Sequence, residues 1–270
     1  MSVALSAGEI IKATKGKLLQ GDPRARVKGV SIDSRNFKTG ELFVAIKGEN
    51  HDGHAFVGQI ERSASAVVVS RKDLTFKTKI PVIFVKDTTE ALGRIAFAHR
   101  KKFKIPVIAI TGSSGKTTTK DMLAEVLRSK YKVLSSVGTQ NNQIGVPLTL
   151  LKLSREHEVA VLELGTNRFG DIRWLTEISK PAIAIYTTIG ESHLECLKTP
   201  EGVLKEKLGL ARFMAVDGKV ILNLDNPYLA KVKSAQIRRK IIPFGCKSQA
   251  EFRASDEKLI DNQNLQFTVS

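Results

Sequence analysis

The stretch Ile105-Pro-Val-Ile-Ala-Ile-Thr-Gly-Ser-Ser-Gly-Lys-Thr-Thr-Thr-Lys120 runs from an apolar segment through a glycine-bounded turn into a helical pattern. The β-branched run ending at Thr111 suits a strand, and its lack of polar alternation suits one buried on both faces of a parallel sheet. Gly112 and Gly115 let the backbone N–H groups around Ser113 and Ser114 converge on an anion. The helix that follows offers the positive end of its dipole. Lys116 adds a cation, Thr117 a hydroxyl able to reach a magnesium ion, and Thr118 continues the first turn. Strand, cradle and helix together predict the binding of a nucleoside triphosphate. The motif reads G-x-x-G-K-T, shorter than the usual P-loop, because Ile110 stands where the first glycine is expected.

Downstream, strand-like runs alternate with amphipathic patterns. A helix is predicted from Thr117 to about Lys130, with Met122, Leu123, Val126 and Leu127 as its apolar stripe. A strand at 131–135, an Asn-rich loop, a short helix near 145–153 and a strand at 158–164 follow. Helices near 170–178 and 200–216, strands at 182–188 and 219–224, and a β-rich tail from Ile241 complete the pattern. Such alternation means a mainly parallel sheet covered by helices on both faces. Upstream, a helix is expected from Ala7 to Leu19, strands at 41–46, 65–70 and 81–85, and a helix from Thr88 to Lys101 with Leu92, Ile95, Ala96 and His99 on one side. The basic stretch Arg100 to Lys104 reads as a linker.

A chain of 270 residues, 42% of them hydrophobic, has material for a core and suggests about two domains. Lys and Arg number 43 against 27 Asp and Glu, a net charge of +16, which raises the question of nucleic acid. The basic residues are dispersed, however, and aromatics make up only 6%. A solvated basic surface that favours small anionic substrates is the better reading, with no specific nucleic-acid partner. The two cysteines, Cys196 and Cys246, set no disulfide framework and lack metal-ligand spacing. No apolar run approaches the roughly 20 residues of a membrane span, and residues 1–6 do not start a signal peptide. A cytoplasmic protein is expected.

Ligands of open parallel sheets sit beyond the carboxyl ends of the strands. Three features fall at that edge: the glycine-lysine loop, Glu163 after the run from Glu158, and His193 past the run from Ala182. A carboxylate near a triphosphate suggests a magnesium site. His193 fits magnesium less naturally, and it equally suits a loop histidine with a local hydrogen bond. Lys207 lies on the stripe Val203, Leu210, Met214, otherwise apolar; it reads either as a snorkelling lysine or as a buried amine used near the phosphates. Asn141 and Asn142 read as ligand-binding amides or as a turn. Asn223, at another strand end, begins a segment that contacts a nucleotide base or caps the next helix.

These segments together resemble the Mur ligases. Thr111–Thr119 resembles the family's ATP loop, whose shortened glycine spacing accounts for Ile110. Residues 139–150, with Asn141-Asn142, resemble one branch, as do Glu163–Ile172 and Ile189–Glu195. Asp33-Ser-Arg35, Gly40–Ala45 and Asp52-Gly-His-Ala-Phe56 resemble that branch's UDP-sugar module. The branch joins D-Ala-D-Ala to UDP-N-acetylmuramoyl-tripeptide in peptidoglycan precursor synthesis. The resemblance implies an α/β protein: a UDP-sugar-binding domain over 1–102, then a P-loop parallel-sheet, ATP-binding central domain over 103–270. It implies ATP and Mg2+ as cofactors, and an acyl phosphate on the tripeptide carboxylate that the amine of D-Ala-D-Ala attacks.

By the same resemblance, Gly112 to Thr118 hold ATP, with Lys116 on the transferring phosphate and Asn223 near the adenine. Thr117 and Glu163 hold one magnesium ion, and His193 helps hold a second. Lys207 matches a lysine that is carbamylated and supports the metal site. Ser34, Arg35, Asn141 and Asn142 contact the UDP-linked substrate. Thr139 stands where an asparagine is frequent, and Gly209 where an acidic residue is. The family continues past Ser270 into a C-terminal domain, so a truncated chain is expected, acting as a ligase or as a non-catalytic UDP-sugar- and ATP-binding module with a partner chain.

Overall fold

In a computed structural model of the protein, the described residues are 5–48, 51–246, 249–259 and 265–270. They form two units. One comprises Met1–Lys104 with Gln143–His157, the other Ile105–Asn142 with Glu158–Ser270.

The first unit holds a five-stranded sheet in the order Lys17–Gln20, Val82–Phe84, Ala66–Val69, Leu42–Val44, Val30–Ser31. Only the pairing of Lys17–Gln20 with Val82–Phe84 is antiparallel. Leu42–Val44 and Ala66–Val69 are wholly buried, as continuous apolar runs in parallel strands should be. Helix Ala7–Thr14 opens on a capping box between Ser6 and Glu9. It ends at Lys15 in the left-handed region (φ 54°), well before Leu19. Thr14 bonds back to the Ile10 carbonyl at 2.8 Å, and Gly16 passes so close to Ile83 and Phe84 that a Cβ would not fit. The end of the expected helix is therefore an edge strand. Helix Thr88–Arg100 is capped by Asp87 and buries Leu92, Ile95, Ala96 and His99, as the spacing requires.

A single boundary at 102/103 leaves residues 143–157 with the wrong neighbours. Helix Gly145–Leu150 packs on helix Thr88–Arg100, and His99 Nε2 bonds the Leu153 carbonyl at 3.0 Å. The first unit is discontinuous in sequence.

The second unit is built on an eight-stranded sheet: Leu265–Val269, Phe252–Leu259, Lys240–Gly245, Lys219–Asn223, Ile183–Tyr186, Val107–Thr111, Val159–Glu163, Val133–Ser135. All pairs are parallel except the first. From Val107–Thr111 the chain skips a place to Val133–Ser135, returns to fill the gap with Val159–Glu163, then crosses to the other side with Ile183–Tyr186. The order reverses at Val107–Thr111, and in open α/β sheets ligands bind beyond the carboxyl end of the strands at such a point.

Helix Lys116–Arg128 covers this strand with Leu123, Ala124 and Leu127. Met122 and Val126 do not belong to its buried stripe; they are 65% and 69% exposed. The inward series is Lys120, Leu123, Ala124, Leu127, at i, i+3, i+4 and i+7. Lys120 is buried because its Nζ donates to the carbonyls of Ser136 (2.8 Å) and Gly138 (3.1 Å) and pairs with Asp121. The helix expected over 200–216 is two pieces, Pro200–Lys207 and Gly209–Phe213.

Candidate active site

The glycine-lysine loop sits at the reversal point of the sheet. Gly112 passes so close to the next strand end that a Cβ would overlap Thr187 Oγ1 and lie 3.1 Å from both N and O of Thr188. Gly115 begins the helix in the left-handed region (φ 75°), which glycine adopts without strain. Thr187 and Thr188 hold the turn from outside. Ser113 N donates to the Thr188 carbonyl (2.8 Å), and Thr187 Oγ1 donates to the Ser114 carbonyl (2.6 Å). Ser113 Oγ accepts from Gly190 N at 3.0 Å and lies 3.0 Å from Ser192 Oγ. These bonds fix the loop before any ligand arrives. The sequence reading missed Thr187 and Thr188; their position just past a buried strand was the available signal.

Glu163 ends its strand 1% exposed. A carboxylate so deeply buried needs partners, and it has two: Thr117 Oγ1 donates to Oε2 and Asn141 Nδ2 to Oε1, each at 2.7 Å. Asn141 is carried by the loop that Lys120 holds, so a buried cation outside the motif positions this contact. Among the described residues Lys116 Nζ reaches only the Ser113 carbonyl, at a long 3.4 Å, which leaves its donors available to an anion. The carboxylate and hydroxyl are hard oxygen donors of the kind magnesium takes together with waters and phosphate oxygens. Among the described residues no three His, Cys, Asp or Glu side chains cluster as a protein-only metal cage.

Lys207 is 1% exposed. Burial first, then the charge of Lys116, lowers its amine to about 8, while Glu206 and Glu163 oppose the shift. It is thus a buried amine within electrostatic reach of the loop lysine and the buried carboxylate, not a snorkelling surface lysine. His193 opens helix Leu194–Leu197 with φ 52° and is exposed. Desolvation first, then the charges of Lys207 and Lys116, lowers its pKa, which favours the neutral imidazole. Lys116, Thr117, Asn141, Glu163, His193 and Lys207 thus gather at one edge of the sheet.

Asn223 spans two strand ends: its Nδ2 donates to the Thr187 carbonyl (2.8 Å) and its Oδ1 accepts from Asp225 N (2.9 Å). Both ends of the amide are occupied, so its evident work is to brace the strand that carries Thr187. Asn142 is exposed beside Asn141. Glu206 was not singled out from sequence. Its buried carboxylate accepts from Gly170 N (2.9 Å) and Ile172 N (2.8 Å), and so ties Pro200–Lys207 to the start of helix Asp171–Ser179.

In the first unit, Ser34 and Arg35 line a cleft of about 410 Å³ with Ile32, Asp33, Ile46 and Phe56. Arg35 grips Asp33 through two bonds of 2.9 Å and holds its carboxyl down at about 2. Asp52, His54 and Ser70 look like a catalytic triad but form a brace. His54 is 2% exposed, its Nδ1 faces Asp52 Oδ1 at 2.5 Å, and its Nε2 accepts from the Ser70 backbone N–H at 2.9 Å.

The sequence profile described as the Mur ligase middle domain matches residues 110–270, and that described as the Mur ligase family, catalytic domain, matches residues 26–100. A UDP-N-acetylmuramoyl-tripeptide–D-alanyl-D-alanine ligase of Buchnera aphidicola subsp. Baizongia pistaciae is 38% identical over 243 residues, 90% of this chain and 53% of that protein. The crystal structure of MurF from Acinetobacter baumannii superposes with a TM-score of 0.90 at 32% identity, over 99% of this chain and 58% of that one. MurF from Thermotoga maritima, in complex with ADP, gives 0.79 at 28% identity over 89% and 55%. The chain spans about half the length of the curated relatives it matches. In sequence and fold, the chain belongs to the Mur ligase family.

Proposed function

We propose that this chain carries the substrate- and nucleotide-binding parts of a cytoplasmic, ATP-dependent ligase that adds D-Ala-D-Ala to UDP-N-acetylmuramoyl-tripeptide. The observation that carries this reading is the contact of Thr117 with the buried Glu163 carboxylate beside the Lys116 loop. The names of the relatives, and the ADP bound to the Thermotoga protein, support the substrates and the nucleotide.

In this reading the N–H groups at the start of helix Lys116–Arg128 and the Lys116 amine orient the triphosphate and neutralise charge as the terminal phosphoryl group passes to the tripeptide carboxylate, while the Ser113 and Ser114 N–H groups bond Thr188 and hold the turn. Glu163 and Thr117 would hold Mg2+, with His193 toward a second ion; bound magnesium supplies charge neutralisation on the phosphates. Lys207, lowered toward neutrality, takes up carbon dioxide as a carbamate, turning a repulsive cation into an anion at the metal site. Asn223 lies toward the adenine. Ser34 and Arg35 in their cleft bind the UDP-linked substrate; Asn141 and Asn142 are assigned to that substrate by resemblance alone. Nucleophilic attack by the dipeptide amine then releases phosphate and forms the amide.

The test is to titrate the chain with ATP and Mg2+ and with UDP-N-acetylmuramoyl-tripeptide, then to assay amide formation with D-Ala-D-Ala. Both ligands should bind. Failure of either to bind overturns the reading. Binding of both without product, restored by a C-terminal chain from a full-length relative, would identify a module that works with a partner.

A further inference from the structure

Lys207 ends a helix whose sequence offers only Gly209, a weak helix former, as a local reason to stop. Leu208 keeps helical dihedrals (φ −62°, ψ −14°), neither proline nor a left-handed residue intervenes, and Gly209–Phe213 continues as helix. The break comes from a side chain inserted into the hydrogen-bond ladder. In an unbroken helix the Ala211 N–H would donate to the carbonyl four residues earlier, that of Lys207. Instead Ala211 N donates to the hydroxyl of Tyr186 at 2.9 Å, and the same hydroxyl donates to the Lys207 carbonyl at 3.1 Å. Tyr186 is fully buried at the end of strand Ile183–Tyr186, one residue before Thr187, which holds the glycine-lysine loop. A hydroxyl wedged between the two groups of one helical bond is a recognised cause of helix bending.

We infer that Tyr186 is a positioning residue for Lys207. Its hydroxyl, fixed on the strand that braces the loop, opens the helix between Lys207 and Ala211 and sets where the Lys207 amine lies relative to Lys116 and Glu163. Glu206, bonded to Gly170 and Ile172, anchors the preceding turn, so the helix is held on both sides of Lys207. The bearing of this on catalysis rests on the reading of Lys207 as a site residue; the placement itself does not.

The variant is Tyr186→Phe, which removes one oxygen. The freed Lys207 carbonyl and Ala211 N–H are natural partners, so the ladder should close, no buried polar group is orphaned, and the chain should fold. The readout is the rate at which acetic anhydride acetylates Lys207 in the whole chain at fixed pH, followed by peptide mass spectrometry. Lys120 is the internal control, being equally buried and tied to the Ser136 and Gly138 carbonyls. The expected result is a change of at least fivefold in the rate at Lys207 with Lys120 unchanged. An unchanged Lys207 rate overturns the inference. A parallel rise at both lysines shows general loosening and overturns it too. So does a variant that fails to fold, because closure of the ladder was to satisfy both groups. The binding titrations above test the ligase reading separately, so the two can fail independently.

Discussion

Replacing Lys207 by methionine should make the protein more stable at pH 7 while abolishing the ligase chemistry proposed for it. Lys207 is buried at 1% exposure, and burial first, then the charge of Lys116, lowers its amine from the ordinary 10.5 to about 8. The sign follows from proton binding. Between about pH 8 and 10.5 the unfolded chain holds a proton that the folded chain has released, so stability rises with pH in that window. Below it both states are protonated and the full penalty of burying the ammonium is present. At about 1.4 kcal/mol per pH unit, that penalty is about 3 kcal/mol. Methionine matches the length without the charge, and a shape-conserving swap costs up to about 1.5 kcal/mol. A net gain of about 2 kcal/mol remains, which raises Tm by about 4–8 °C in a protein of this size. Thermal melts in carbonate-free buffer at pH 7 and pH 10 measure it. The advantage of the variant should be large at pH 7 and mostly gone at pH 10. A variant less stable than the parent at pH 7, or an advantage that persists at pH 10, would refute the reasoning.

Glu163→Gln keeps the shape and lets an amide meet Thr117 and Asn141, so Tm should move by no more than about 3 °C. The magnesium-dependent part of ATP affinity should fall by at least about tenfold, the worth of one charge-assisted contact; calorimetry with and without Mg2+ decides. Gly112→Ala drives a methyl into Thr187 and the Thr188 backbone. Urea unfolding should show a loss of about 1–3 kcal/mol, with ATP binding weakened in parallel. Arg35→Ala should weaken the UDP-linked substrate and leave ATP affinity intact. The Asp33 carboxyl should then climb from about 2 toward its ordinary range, which carbon-13 NMR will follow.

The loop and its strand were legible because the signal is local: a β-branched run, two glycines and a Lys-Thr pair lie within a dozen residues. Glu163 followed from a rule about strand ends. Three features were not legible, each for a physical reason. Lys120 was not included in the predicted buried stripe, because a charged residue does not count as inward-facing until the carbonyls of Ser136 and Gly138 are known to meet it. Choosing the helix stripe by apolarity alone then brought in Met122 and Val126, which face outward. The interruption after Lys207 was not legible because Gly209 only weakens a helix, and the hydroxyl that opens this one comes from a tyrosine on a strand distant in sequence. The attachment of residues 143–157 to the first unit depends on packing across a long stretch of sequence, and hydrophobic periodicity carries no information about which neighbour a helix will find.

That interleaved segment limits how the molecule can be dissected. A fragment ending at Lys104 would lack helix Gly145–Leu150 and leave His99 without the Leu153 carbonyl. A fragment beginning at Ile105 would carry Val146, Leu150, Leu151 and Leu153 as an apolar loop with nothing to cover it. Neither half is a transplantable module, and gene fusions or limited proteolysis that treat residue 104 as a seam should yield insoluble pieces. The chain re-enters the first unit at Gln143, two residues after the Asn141 that grips Glu163. Selection on the first unit's packing therefore also constrains the short span of chain that holds the buried carboxylate.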